Sequence, residues 1–458
     1  MTEKWYDMRI GVVALVCVCL ASCTLKAGVQ VPEVTVPDGW AYADSAAAEL
    51  PANWWTAFAS DELDALVQQA LQSSPDVLAA AARLRQAEAQ VTVASASLWP
   101  SVGVSADAAR SGTWGESGAR GYQAGVAASY EVDVWGGLRA GRRAALAGRA
   151  ASQHDQDAVR TTVVAAVVTS WLEVVALQQR LALALDSLSN AEQVLQRIET
   201  RYQLGAAGLL EVTQQRAQIA SQRGSIPVLQ QQLREQQAAL AVLLGQTSQQ
   251  LSVETAALDT LGLPQAPSSL PAQVLLRRPD VQRVEAQLLA SEADVVAARA
   301  ALFPALSVSG ASNWSSVSSG DLFSGDPLWR LAGSVSQALF QGGRLRARTE
   351  VARARYDELA AGYVQTVLSA LAEAEVALTA VQALDEQQRW QQAQREQAAK
   401  AYQLSMTRYQ AGSVDFLSVL DAQRSLLASD DSLVQLRRAR LQAQVTLYRT
   451  LGAVPATQ

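Results

Sequence analysis

The chain states its plan twice. Pro75-Asp76 recurs as Pro279-Asp280 and Trp99-Pro100 as Phe303-Pro304, both at an offset of 204 residues. Farther on, Gly136-Gly137 answers to Gly342-Gly343, Arg201-Tyr202 to Arg408-Tyr409, Gly205 to Gly412 and Leu244-Gly245 to Leu451-Gly452, with the offset drifting only to 207. Within each copy the apolar period switches from helical to strand-like and back at matching points. Solenoid repeats run to about 20–50 residues, so the chain is two homologous halves of one architecture. Length alone would suggest about three domains.

Lys4 and Arg9 precede an apolar run from Ile10 to Leu20 that continues into Ala21-Ser22-Cys23. This reads as a signal peptide over residues 1–22. The run is too short to cross a bilayer, and no later stretch has the roughly 18–20 uninterrupted apolar residues of a transmembrane helix. Leu20-Ala21-Ser22-Cys23 resembles a bacterial lipobox, which implies cleavage before Cys23, a diacylglyceryl thioether on its sulfur and an acylated amino terminus. Thr24 follows where an Asp would resemble an inner-membrane retention signal, so outer-membrane delivery is expected. The competing reading is an ordinary secretory leader with an incidental cysteine. Cys17 and Cys19 leave with the leader and Cys23 carries lipid, so no disulfide is expected in the mature chain. Residues 23–55, with Pro32, Pro37 and Gly39, read as a lipid-anchored extended segment.

Charged residues make up 17% of the chain, against a usual level of about 25%. Ala, Gln, Leu and Val take their place, a mixture suited to long, mutually packed helices. Net charge is −6, and without a basic stripe nothing points to nucleic acid. From about Gly136 to Leu204 there is no proline, and Leu181, Leu185, Leu188, Leu195, Ile198 and Tyr202 form a heptad-type seam. At 1.5 Å per residue this helix would be on the order of 100 Å long. A glycine-bearing reversal at Gly205 leads to a second helix to about Leu244. The second half repeats the hairpin over about 344–410 and 415–451, around Gly412. Helices this long cannot bury their seams in a compact globule and need neighbours in a sheath or bundle.

Ahead of each hairpin the period becomes two. Tyr122, Ala124, Val126, Ala128, Tyr130, Val132 and Val134 alternate with polar or tiny residues, and about 100–109 is the expected partner strand. The second half supplies about 304–314 and 328–340, where Trp329, Leu331, Gly333, Val335 and Leu339 share a face. Each strand has the length of a tilted bilayer-crossing strand, and Trp114, Tyr122, Tyr130, Trp314 and Trp329 could form aromatic girdles. Small soluble hairpins are the alternative. Four strands cannot close a barrel, and an open edge in hydrocarbon leaves amides unpaired at several kcal/mol each. Membrane insertion therefore demands oligomers. Two copies give eight strands with a filled interior and three give twelve with a hole; an inner face of Gly, Ser and Ala favours the hole.

These residues resemble the TolC-like outer membrane factors, in particular the lipoprotein branch serving resistance-nodulation-division efflux systems. The resemblance covers the mature chain and rests on Trp54-Trp55-Thr56-Ala57-Phe58 with Asp61, Leu63 and Leu66, on Tyr130-Glu131-Val132-Asp133-Val134-Trp135-Gly136, on Phe340-Gln341-Gly342-Gly343, and on Arg408-Tyr409-Gln410-Ala411-Gly412 leading to Leu420-Asp421-Ala422-Gln423-Arg424. Ser74 and Gln341 depart from the usual pattern. The resemblance implies an α+β membrane protein, internally duplicated: a homotrimer whose twelve-stranded outer-membrane β-barrel, four strands per chain, continues into a long periplasmic α-helical barrel. The divisions expected are residues 1–22, 23–55, a first repeat over 56–258 with its β-hairpin at about 100–134, a linker over 259–276, and a second repeat over 277–458 with its β-hairpin at about 304–341. Implied partners are a periplasmic adaptor (membrane fusion) protein, an inner-membrane transporter that is proton-driven, and outer-membrane lipid.

No catalytic constellation is present. His154, the only histidine, sits among Gln153, Asp155 and Gln156 and reads as a solvated surface residue. With no clustered His, Cys or carboxylate ligands, neither a metal nor a cofactor is expected beyond the lipid on Cys23. The hairpin tips, with Arg201, Tyr202 and Gly205 in the first half and Arg408 and Gly412 in the second, carry a cation in the last helical turn, which plain capping explains; the resemblance adds adaptor docking. Asp421 and Arg424 form at least an i,i+3 ion pair of about 0.3 kcal/mol. The resemblance places Leu417 and Asp421 as rings at the periplasmic mouth, with Arg424 or Tyr409 holding the carboxylates as a latch. In the first half Glu211 is the nearest acid, and an acidic ring there is doubtful. The function expected is the exit duct of a tripartite pump for drugs or other small toxic compounds. The alternatives are type I secretion, metal-ion efflux and a coiled-coil structural lipoprotein without a lumen.

Overall fold

The computed structural model describes residues 27–29, 32–35, 51–115, 118–254, 257–262 and 272–455. The leader and Cys23 lie outside them. The first half forms α1 (Asp61–Ser73), α2 (Pro75–Ala96), β1 (Ser101–Ser111), β2 (Ala119–Val132), α3 (Gly137–Gln203) and α4 (Leu209–Leu243). The second forms α5 (Pro279–Ala300), β3 (Ala305–Ser316), β4 (Leu328–Ser336), α6 (Arg344–Gln410) and α7 (Phe416–Thr450). The duplication is exact in helix length: α2 and α5 have 22 residues, α3 and α6 have 67, and α4 and α7 have 35. Pro75 and Pro279 each open a helix, where a missing amide costs nothing. The first half adds α1, whose Ser60 cap accepts from Leu63 N at 3.2 Å.

The four strands make one antiparallel sheet in the order β1-β2-β3-β4. The two hairpins join through β2 and β3, with Ala127 opposite Ala311. Following the register, one face carries Val102, Val104, Tyr122, Val126, Tyr130, Val308, Trp314, Trp329, Leu331 and Val335. The other carries Ser101, Gly103, Ser105, Asp107, Gln123, Gly125, Ala127, Ser129, Glu131, Ser307, Ser309, Ala311, Asn313, Arg330, Ala332 and Ser334. Val104 and Trp329, on the apolar face, are 81% and 80% exposed. Both outer edges, on β1 and β4, are left without a ladder partner among the described residues.

Two strands are shorter than their periodicity suggests. β4 stops at Ser336, so Leu339 and Phe340 fall outside it. Ser336 pairs with Ala305, and the next residue on the β3 side is Pro304, which has no amide to donate. Gln337 instead donates its side-chain amide to Leu302 O at 3.1 Å. β2 ends at Val132, leaving out Val134, because Asp133 leaves the ladder to cap α3. Its two carboxylate oxygens accept from Leu138 N at 3.0 Å and Arg139 N at 2.9 Å.

By packing, the chain forms two units that each draw on both halves. Among the described residues, the first comprises 27–29, 32–34, 83–153 and 282–365. It holds the sheet, and its small core is Ala140, Leu288, Val295, Val296 and Tyr356. The strand-to-helix junction is pinned by Trp135, which stacks on Phe303 at 4.7 Å and donates to Pro304 O at 2.7 Å. The second unit comprises the described residues of 35–82, 154–281 and 366–455. Its core packs Trp54, Phe58 and Leu63 against Val164, Val168, Trp171 and Leu172 of α3. Trp54 stacks on Tyr448 at 5.3 Å, and Trp171 donates to Glu62 at 2.8 Å. Both α3 and α6 contain an 18-residue window of mean hydropathy 1.5. In α3 this window is 67% buried, which marks it as helical core.

Candidate gate at the hairpin tips

The tips lie within the second unit. At the end of α3, Gly205 takes a φ of +74°, and Ala206 N reaches back to Arg201 O at 2.8 Å while Gly205 N bonds Tyr202 O at 3.0 Å. The end of α6 repeats this with Gly412 at φ +73°, Ser413 N on Arg408 O at 2.9 Å and Gly412 N on Tyr409 O at 3.0 Å. These are the paired reverse bonds of a Schellman ending, which needs a residue in left-handed backbone. Arg201 adds a side-chain bond to Ala206 O at 3.3 Å. Asp415 caps α7, accepting from Ser418 N at 3.1 Å and Ser418 Oγ at 2.7 Å. Those bonds hold its carboxyl below the usual value.

The repeated Arg-Tyr pair is used differently in the two halves. Tyr202 is 44% exposed, whereas Tyr409 is 7% exposed, inside a cluster of Ile198, Val212, Phe416, Val419 and Leu420. Its hydroxyl donates to the Glu211 carboxylate in the first turn of α4. The Arg201 guanidinium sits 4.8 Å from its ring centroid, and Phe416 tilts against it at 5.2 Å. Burial pushes the Tyr409 hydroxyl up, and the Glu211 bond and charge push further against a small opposing effect of Arg201, to about 12. Tyr409 thus ties the end of α6 to the start of α4 and the end of α3, so one residue joins both hairpins.

α7 shows two stripes. Phe416, Val419, Leu420 and Gln423 are buried. Leu417, Asp421 and Arg424, at steps of four and three, share the open face; Leu417 is 45% exposed, and the Asp421 and Arg424 side chains are 65% and 54% exposed. Arg424 bonds Gln218 Oε1 through Nε at 2.8 Å and reaches Asp421 only at 3.9 Å. An exposed pair at that distance is worth a few tenths of a kcal/mol. Of the two groups offered by the sequence to hold Asp421, Tyr409 is bonded to Glu211 instead, and Arg424 remains in reach. The Gln218 and Glu211 contacts were not legible beforehand, because both bring α4 of the first half onto residues of the second.

Above the tips, a groove of about 370 Å³ runs between α3, α6 and α7, lined by Asp186, Asn190, Arg197, Tyr402, Gln423 and Asp430. A second, of about 450 Å³, lies between α3, α4 and α7, where Arg180 pairs with Asp431 at 2.6 Å. Arg408 is exposed beside its tip, and His154 is half-buried on α3. No group of three or more His, Cys, Asp or Glu side chains is placed to hold a metal among the described residues.

A family model described as outer membrane efflux protein matches residues 66–246 and 270–453. The chain is 40% identical over 450 residues to the pyoverdine export outer membrane protein OpmQ of Pseudomonas aeruginosa, covering 95% of each. It is 30% identical to the cation efflux system protein CusC of Escherichia coli, covering 95% of this chain and 97% of that one. The solved structure of the outer-membrane channel OprN superposes with a TM-score of 0.86 at 29% identity, over 94% of this chain and 99% of that one.

Proposed function

Because the chain belongs to the outer membrane efflux protein family and is an outer-membrane efflux channel, we propose that it is the exit duct for drugs or other small toxic organic compounds, gated at its hairpin tips. Homologous channels of the family are trimers that work with efflux pumps, and the protein lies in the outer membrane with a large periplasmic helical extension. Three copies of the four-stranded sheet supply the twelve strands of the barrel, which removes the open edges that hydrocarbon would not tolerate. The apolar face then meets lipid and the Ser/Gly/Ala face meets water. The family consists of channel proteins.

The cargo reading takes its cue from OpmQ, named for pyoverdine export, rather than from CusC, named for cation efflux. A periplasmic adaptor that docks at Arg201, Tyr202, Gly205, Arg408 and Gly412, and an inner-membrane transporter, complete the pump. A thioether-linked lipid on Cys23 would add a second anchor to the barrel; the Cys23→Ser variant should fail to incorporate radiolabelled palmitate.

The observation that carries the gate is the split between the stripes of α7. Phe416, Val419 and Leu420 hold the helix against its neighbours, while Leu417, Asp421 and Arg424 remain open. Around a threefold axis, Leu417 makes an apolar ring and Asp421 an acidic ring neutralised by Arg424. Opening separates the tips, driven by tighter adaptor binding to the open form. Replacing Asp421 and Arg424 with Ala should raise single-channel conductance of the purified trimer in planar bilayers. Unchanged conductance would count against the latch.

A further inference from the structure

We propose that Arg330 forms a ring of three guanidinium groups on the water-facing wall of the barrel and serves as an anion-binding station for negatively charged cargo on its way out. This rests on the exit-duct reading and narrows its substrate class. Register places Arg330 opposite Ala311, which in turn faces Ala127 and then Gly103. All four belong to the polar face, while Trp329 and Leu331 on either side belong to the apolar one. Arg330 is therefore directed to the lumen.

Three features set it apart. It is the only Lys or Arg on the polar face of the four strands, and it makes no hydrogen bond or ion pair among the described residues. It borders a depression of about 180 Å³ lined by Ala127, Ser129, Ser309 and Ala311, whose small side chains leave room beside the guanidinium and whose two hydroxyls add donors. The acids on the same face, Asp107 and Glu131, lie four residues away along the ladder and three and two strands across. At ~3.3 Å per residue and ~4.8 Å per strand, both are more than about 15 Å from it, beyond the Debye length of about 10 Å at 0.1 M salt.

A guanidinium presents a planar fork of donors that fits carboxylates and phosphates, and it never loses its charge. Rings of Arg or Lys are how pores favour anions. Arg330 lies at a strand interior that holds no other charge on its row, so nothing about folding the sheet requires it there. Lysine-free, small-residue surroundings make the charge stand alone.

The test uses the full-length trimer in planar bilayers carrying Asp421→Asn, so that the acidic mouth does not set selectivity. Under a potassium chloride gradient near 0.1 M, R330Q should lower the chloride-to-potassium permeability ratio about threefold or more, while R330K retains most of it. Citrate added on the barrel side should reduce current through the Arg330 channel and not through R330Q. Conduction with an unchanged ratio in R330Q overturns the ring while leaving the duct intact. A shifted ratio without any citrate effect also overturns the site, because Arg330 is then neutralised by an acid across the seam. A protein that never conducts, in any variant, overturns the duct reading and the ring with it.

Discussion

Removing the Tyr409 hydroxyl tests whether the tip contact is a latch. Tyr409→Phe keeps the ring against Ile198, Phe416 and Leu420 and deletes only the bond to Glu211. A hydrogen bond to a charged group contributes about 1.5–3 kcal/mol. The lower end of that range, about 1.5 kcal/mol per protomer, is roughly tenfold in the balance between closed and open tips. Three tips opening together multiply it. In planar bilayers the variant should therefore show an open fraction at least about tenfold higher, with Glu211→Gln intermediate. The sign of the pH effect also follows: the hydroxyl is raised above its ordinary value, so it keeps its proton from neutrality to about pH 10 and loses it, and the bond with it, only as pH climbs through about 12. Gating should not titrate through Tyr409 near neutrality. If Tyr409→Phe folds, assembles and opens no more often than wild type, the bond is structural and takes no part in gating.

The face assignment of the sheet gives a paired test: Val104→Arg, on the lipid side, should cost about 2–4 kcal/mol near the bilayer midplane and prevent assembled trimer from appearing in the outer membrane, whereas Ser105→Arg, one residue on, should insert normally. Trp54→Ala removes the ring stacked on Tyr448 and should destabilise the second unit by about 3–5 kcal/mol in thermal unfolding. Arg278, whose side chain is 8% exposed, donates to Asp280, Glu373 and Thr450 O. Burial works against the Asp280 charge, but the Arg278 bonds and charge outweigh it and hold that carboxyl below its usual value. Its contribution is thus present above the ordinary carboxylate range and lost as pH falls through the lowered one. Arg278→Met should lower the melting temperature by an amount equivalent to about 1–3 kcal/mol, since both acids keep access to water, and a change near zero would show that the cluster is dispensable.

Much of this architecture was open to inspection in the chain itself, because its rules are local. A helix closes bonds four residues apart and a strand turns its side chains every second residue. The spacing of leucines, the alternation after Tyr122, and the glycines at 205 and 412 therefore set element lengths and reversals without reference to anything distant. The strand ends escape these local rules where a neighbour intervenes: the alternation continues beyond β4 through Leu339, but Pro304 across the ladder withdraws the amide that would have extended the strand.

Distant pairings followed a different logic. Nothing in the period of β2 says that it lies beside β3 of the other half, and nothing in two identical Arg-Tyr pairs says that Tyr409 is buried on Glu211 while Tyr202 stays exposed. The duplication, the amphipathic strands and the hairpin tips were determined by the order of residues. Which half touches which, how Arg424 divides itself between Gln218 and Asp421, and how far Arg330 stands from Asp107 and Glu131 were decided only in three dimensions, because they depend on the register and packing of segments some two hundred residues apart.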